Sequence, residues 1–170
     1  LHARTPGRRK HTRASTPARP EMYADADYDY IIMDSGCSTT ILGDRSMFTH
    51  LTPSTAKVMT ADNKVVHIGL EGPANIVVVD KHNEERTIHL PRAFYCPDMH
   101  ELLSVKQLVR LDHDVHFSRS RGSALSVNAH TVPLVERQNL YQVRYRRRPR
   151  TARQLQQDAA TAHGAEHAHA

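Results

Sequence analysis

Residues 64–90 read KVVHIGLEGPANIVVVDKHNEERTIHL. Val66, Ile68 and Leu70 alternate, Asn75 to Val79 is nearly all β-branched, and Arg86 to Leu90 alternates again. A period of two puts successive side chains on opposite faces of a strand, and branched side chains fit the pleated surface. Gly69, Gly72-Pro73, Lys81-His82-Asn83 and Pro91 punctuate these runs and read as breaks between strands. Outward from this stretch, Tyr28 to Met33 and Lys57 to Thr60 are further β-prone runs. Val115–Phe117, Ala124–Val127, Thr131–Val135 and Leu140–Val143 follow on the other side. Asp62-Asn63 and Pro97-Asp98 add two more breaks. Short strands at this spacing predict an all-β barrel or sandwich. One segment differs. In Leu103 to Leu111, Val105, Leu108, Val109 and Leu111 fall at three-to-four spacing, with Ser104 placed to cap the start, which predicts one short helix. No repeat of solenoid period is present.

The chain has 170 residues, room for one domain of ordinary size. Hydrophobic residues make up 39%, below the usual share of roughly 45–50%, so the core is small or part of the chain is unfolded. The longest apolar runs, Ile31 to Met33 and Ile76 to Val79, fall far short of the ~20 residues that span a bilayer, so no membrane association is expected. Two cysteines make no disulfide framework. With Leu1 first and no apolar signal segment, the chain reads as a piece of something longer.

The net charge of +5 is unevenly spread. Residues 1–20 hold six Lys/Arg and no acid; residues 21–143 hold eleven Lys/Arg against sixteen Asp/Glu; residues 144–170 hold six Arg against two acids. The basic charge therefore sits at the ends and the middle is mildly acidic. The Pro-rich basic start has too little apolar surface to offset its ordering entropy. This organisation predicts a disordered basic linker over residues 1–27, a folded domain over 28–145, and a linker over 146–170 leading to a downstream domain.

Asp34-Ser35-Gly36 follows directly on Tyr30-Ile31-Ile32-Met33. A carboxylate at the end of a buried strand is costly unless something stabilises it. Gly36 allows backbone, its own or a substrate's, to come close. The plain alternative is a strand that ends in an Asx or Ser turn. Further motifs follow in order: Asp44-Arg45-Ser46-Met47-Phe48, Val58-Met59-Thr60-Ala61-Asp62-Asn63, Gly69 and Gly72, Phe94-Tyr95-Cys96-Pro97-Asp98-Met99, Leu102-Leu103-Ser104-Val105-Lys106-Gln107-Leu108, and Asn139-Leu140-Tyr141. Over about residues 28–145 this series resembles the aspartic protease segment of copia-type LTR retrotransposon polyproteins. That family pairs an Asp-Ser-Gly-Ala-type site with an Ala-Asp-Gly-type turn, and continues with a Leu-Leu-Ser-Val-x-Gln-Leu helix start and a Gly-Asn-Leu-Tyr ending. Here Cys37 stands for Ala, Asn63 and Gln138 for Gly, and Cys96 for an aliphatic residue. A thiol beside a catalytic carboxylate invites oxidation; Asn tolerates left-handed backbone.

The resemblance implies a retropepsin-like closed β-barrel acting as a homodimer, each copy giving one Asp. Asp34 would be the catalytic carboxylate. Ser35 would hydrogen-bond across the dyad, and Gly36 would let substrate backbone approach. Thr60, Ala61, Asp62, Asn63, Lys64 and Val65 would form a flap over the peptide, and Leu102-Leu103 would pack beneath the active-site loop. The substrate would be the parent polyprotein, and the place of action cytoplasmic, in virus-like particles. No cofactor and no metal are implied.

Other chemistries fit less well. Ten of the thirteen histidines are scattered through residues 1–130; His113 and His116 are close but lack short-spaced Cys partners, and His163, His167 and His169 lie in the C-terminal tail. No Gly-x-Ser-x-Gly surrounds Ser35 or Ser38, and Cys37 has no assignable base. Two other functional readings stay open. One is a catalytically dead or domesticated dimerisation module of the same fold. The other is an RNA-associated module that contacts nucleic acid through its basic tails.

Overall fold

The computed structural model describes residues 28–147. Its strands are β1 (Tyr28–Asp34), β2 (Ile41–Leu42), β3 (Thr52–Pro53), β4 (Lys57–Met59), β5 (Val65–His67), β6 (Leu70–Val79), β7 (Glu85–Tyr95), β8 (Leu102–Ser104), β9 (Val115–His116), β10 (Ala124–Val127), β11 (His130–Arg137) and β12 (Leu140–Arg146). A 3-10 turn spans Arg45–Met47, and the one α-helix among the described residues, α1, spans Val105–Arg110. The expected linker 1–27 lies outside the described residues, as do residues 148–170 of the expected linker 146–170; its first residue, Arg146, instead ends β12, paired with Tyr28.

The main sheet runs β3-β6-β7-β2-β8-β1-β12-β11-β10-β9, and a further pairing of Tyr145 in β12 with Val78 in β6 closes it. The ring β6-β7-β2-β8-β1-β12 is thus a barrel, and the fold is all-β as its patterning predicts. Strand β1 is held on both edges, antiparallel by β12 and parallel by β8. Alternation sends Ile31 and Met33 into the barrel beside Leu103, Ile76, Ile88 and Val143. Each such side chain contributes about 1.5–3 kcal/mol by leaving water. Strands β10 and β11 add Leu125, Val127, Val132 and Leu134 to the same core. The segment after the helix is therefore part of the barrel's own core.

Two prolines expected to end strands lie inside them. Pro73 sits in β6 where the register to β7 shifts between Gly72 and Ala74, opposite Pro91 and Arg92. Proline lacks the ladder donor, and a bulge is where that loss is tolerated. Gly72 is required here, because a Cβ on it would stand 2.1 Å from the His50 carbonyl oxygen. The run Lys64 to Leu70 divides into β5 and the start of β6 rather than forming one strand. The helix is shorter than its apolar spacing predicts: Leu103 belongs to β8, Leu108 is buried, and Val109 is exposed.

The turn joining β6 to β7 is organised by Asp80, whose Oδ1 accepts from the backbone N–H of His82 (2.8 Å) and Glu84 (3.0 Å) and whose Oδ2 accepts from Arg86 Nε (2.9 Å). Burial alone would raise the pKa of this carboxyl; the two backbone donors and the guanidinium outweigh it and hold it below the usual range.

Candidate active site

Asp34 ends β1 where the chain leaves the barrel. Its Oδ1 accepts from the backbone N–H of Gly36 (2.7 Å) and of Cys37 (3.2 Å), so the carboxylate is aimed by its own loop. This turn is the local expectation for Asp followed by Ser-Gly. A Cβ on Gly36 would come within 3.3 Å of the same oxygen. Glycine thus keeps the approach to the carboxylate open.

The loop is clamped from below. Ser104 pairs in register with Asp34 and is fully buried. Its hydroxyl donates to the Cys37 carbonyl and accepts from the N–H of Gln107 (3.1 Å), so one side chain caps α1 and holds the loop. Gln107 continues the clamp: Oε1 accepts from Thr40 N–H (3.0 Å) and Nε2 donates to the Arg92 carbonyl (2.6 Å). Ser-x-x-Gln is a capping-box spacing, but here the Gln side chain reaches across to β7 and to the loop instead of back to its own helix start. That pattern announces a helix start; its second partner, 67 residues away in sequence, is legible only in the fold.

Above Asp34 lies a cleft of about 870 Å³. One wall is the β4–β5 hairpin, paired Lys57↔His67, Val58↔Val66 and Met59↔Val65. Its tip is closed by Thr60 N–H to Lys64 O (2.9 Å) and Asn63 N–H to Thr60 O (2.9 Å), with Asn63 left-handed at φ 62°. Asn in place of Gly therefore meets the turn's requirement. Of the expected flap residues, Thr60, Ala61 and Asn63 line the cleft. Asp62 and Lys64 instead form an exposed ion pair at the tip, and Val65, paired with Met59, is exposed and not among the lining residues. Lys57, Val58 and Met59 belong to the same wall, so the hairpin's contribution begins earlier than the motif suggests.

The floor and far wall are apolar: Ile41, Phe94, Met99 and Leu102. Ile41 and Phe94, with Ile68, form a second small core under the cleft, against which Cys37 and Cys96 pack. Arg92 reaches over the Phe94 ring at 5.1 Å and is fixed by Glu71 through two hydrogen bonds. Phe94, Met99 and Leu102 fall within the ordered motifs and Ile41 and Arg92 do not, but none is marked in sequence as lining a cleft, because an apolar residue in a cleft and one in a core look alike. Ser35 is exposed and is not among the lining residues.

The Cys37 S–H donates to the Thr39 carbonyl (2.7 Å); burial pushes the thiol pKa up, a backbone hydrogen bond at Thr39 pulls against this, and the Asp34 charge adds to the rise. A raised pKa favours the protonated thiol, and the thiolate is the reactive species. Among the described residues no three His, Cys, Asp or Glu side chains gather at metal-binding distance; His163, His167 and His169 lie outside them.

Residues 31–113 match the family model described as Pol polyprotein, beta-barrel domain. The match runs from inside β1 to just past α1 and takes in Asp34, the hairpin and the Ser104–Gln107 clamp. It supports a segment of a retrotransposon or retroviral polyprotein. No curated protein and no solved structure matches the chain.

Proposed function

We propose that this polyprotein segment is an aspartic endopeptidase of the copia type, with a retropepsin-like barrel and a catalytic centre completed by a second copy. The observation that carries the reading is the position of Asp34: a half-buried carboxylate, aimed by two backbone N–H groups, lining a cleft that has a β-hairpin as one wall. Hydrolysis by activated water needs one group to take a proton from water and another to give one to the leaving amine. Two close carboxyls do both, because they cannot both ionise and so share a proton.

Among the described residues that line the cleft, Asp34 is the only carboxylate. A two-fold axis would supply the second. Both edges of β1 are occupied within the chain, so the partner would approach at the cleft rim, where Ser35, Gly36 and Ser38 are exposed. An exposed Ser35 hydroxyl is available there to bond across the dyad. The apolar floor would hold side chains of an extended peptide, and the hairpin would close over it and exclude bulk water. The parent polyprotein is the proposed substrate.

The test compares wild type with Asp34→Asn, each expressed with its natural flanks, by intact-mass spectrometry beside a sizing run. Wild type should give defined fragments, and the variant should be slower by about 10²–10⁴-fold, the usual share of acid–base catalysis. Fragments that form in Asp34→Asn at the wild-type rate would end the proposal. A wild-type dimer without fragments would favour the dimerisation-module reading.

A further inference from the structure

We infer that the outer face of the β1–β12–β11 sheet is a docking strip for single-stranded nucleic acid, built from tyrosines and arginines that strand pairing interleaves. In β1, Tyr28 and Tyr30 point away from the core that takes Ile31. They sit in register with Arg146 and Arg144 of β12. The Arg144 guanidinium lies 4.9 Å from the centre of the Tyr28 ring, and that of Arg137, from the end of β11, lies 4.1 Å from the centre of the Tyr30 ring. Val135 and Leu140, on the same face, are exposed apolar residues beside these stacks.

Three features point to this ligand class. First, rings and guanidinium planes are the surfaces on which unpaired bases stack, and residues two apart on a strand are about 7 Å apart, a spacing that suits splayed bases. Second, among the described residues neither Arg137 nor Arg144 has a carboxylate partner; Arg144 donates to Asn83 Oδ1 (2.7 Å), and the cation–π contacts hold both heads in place with their charge unneutralised. Such charges attract phosphates. Third, the pairing Tyr28↔Arg146 brings the two ends of the folded chain side by side. Beyond β12 the chain continues with Arg147-Arg148-Pro149-Arg150; ahead of β1, residues 21–27 hold Glu21, Asp25 and Asp27, and residues 1–20 before them hold six Lys/Arg and no acid. The strip is independent of Asp34 and of the protease reading.

The test is fluorescence anisotropy on the full chain with labelled oligouridylate and oligothymidylate of about 16 nucleotides, and with a duplex of the same length. Binding is measured between about 50 and 200 mM salt. Both single strands should bind more tightly than the duplex, and the stronger of the two identifies RNA or DNA as the preferred form. Arg137→Gln/Arg144→Gln should weaken single-strand binding about tenfold and reduce the log–log salt slope by about 1.4, the loss of two phosphate contacts. Arg137→Lys/Arg144→Lys keeps the charge without the plane; it should retain the slope but lose the single-strand preference. Neutralising the tails (Arg8, Arg9, Lys10, Arg148 and Arg150 to Gln) should leave that preference in place. If circular dichroism finds the Gln variant unfolded, Val135→Glu at the exposed centre of the strip reads the same effect. Absence of binding, equal binding to duplex, an unchanged Gln (or Glu) variant, or loss of all binding on tail neutralisation would each overturn the inference.

Discussion

At the scale of single residues, two glycines with different duties show how little space the fold leaves near the site. Gly36 keeps the approach to Asp34 open, while Gly72 has the His50 carbonyl oxygen where a side chain would begin. The backbone at His50 cannot yield as a flexible side chain would, because Thr49 N–H is bonded to the Pro73 carbonyl (3.0 Å) and Thr52 is paired with Glu71. Gly72→Ala is therefore expected to destabilise the domain by about 1–3 kcal/mol through overpacking, read as a lower midpoint in urea with unchanged slope. An unchanged midpoint would mean that the β3–β6 contact is looser than described. The sequence marks Gly72 as a glycine beside a proline, which suggests a turn. Its true role, a close approach of two chain segments, depends on where residue 50 goes.

At the scale of elements, the short helix α1 matters less for its own packing than for what its first turn holds. Six residues make a marginal helix. Its N-cap is nevertheless tied to the Asp34 loop through the Cys37 carbonyl and to Thr40, whose hydroxyl accepts from Ser104 N–H (3.2 Å). Ser104→Ala removes the cap and leaves a carbonyl unpaired in the same step. It should cost about 1–2 kcal/mol and should also speed amide hydrogen exchange at Thr40, on the loop rather than the helix. Faster exchange confined to α1 would show that the two are not coupled. The cap itself is legible in sequence, since Ser before an apolar three-to-four pattern is a start signal. The coupling is not, because it requires β1 and β8 to run parallel and adjacent.

At the scale of the whole molecule, the barrel closes through a strand that lies beyond the helix. Strand β12 covers one edge of β1, pairs with β6 at Tyr145, and carries Val143 into the core. The Tyr145 hydroxyl donates to Glu101 Oε2 (2.9 Å), and Glu101 Oε1 accepts from the N–H groups of Gly43 and Asp44, so the last strand is tied to the loops after β2 and before β8. Burial first, and the neighbouring Glu101 charge second, push the Tyr145 pKa far up and keep its proton for that bond. The family match ends at residue 113. A chain cut there would lose β12, expose the Ile31 side of the core and leave an unpaired edge on β1. It is expected to lack a cooperative thermal transition, whereas the chain to residue 147 should keep one. A cooperative transition in the shorter piece would show that the barrel closes without β12.

The sequence by itself determined the all-β class, the placement of most strands, the helix start at Ser104, and Asp34 as the carboxylate that stands out. These depend on local periodicity and on turn and cap chemistry, which act over a few residues. Tertiary structure alone decided the bulge that admits Pro73 and Pro91, the clamp of Gln107 on Thr40, and the cleft wall that starts at Lys57. It also decided the pairing of Tyr28 and Tyr30 with arginines from the far end of the domain. Each of those depends on register between strands distant in the chain, and one residue of slip would send every side chain to the opposite face.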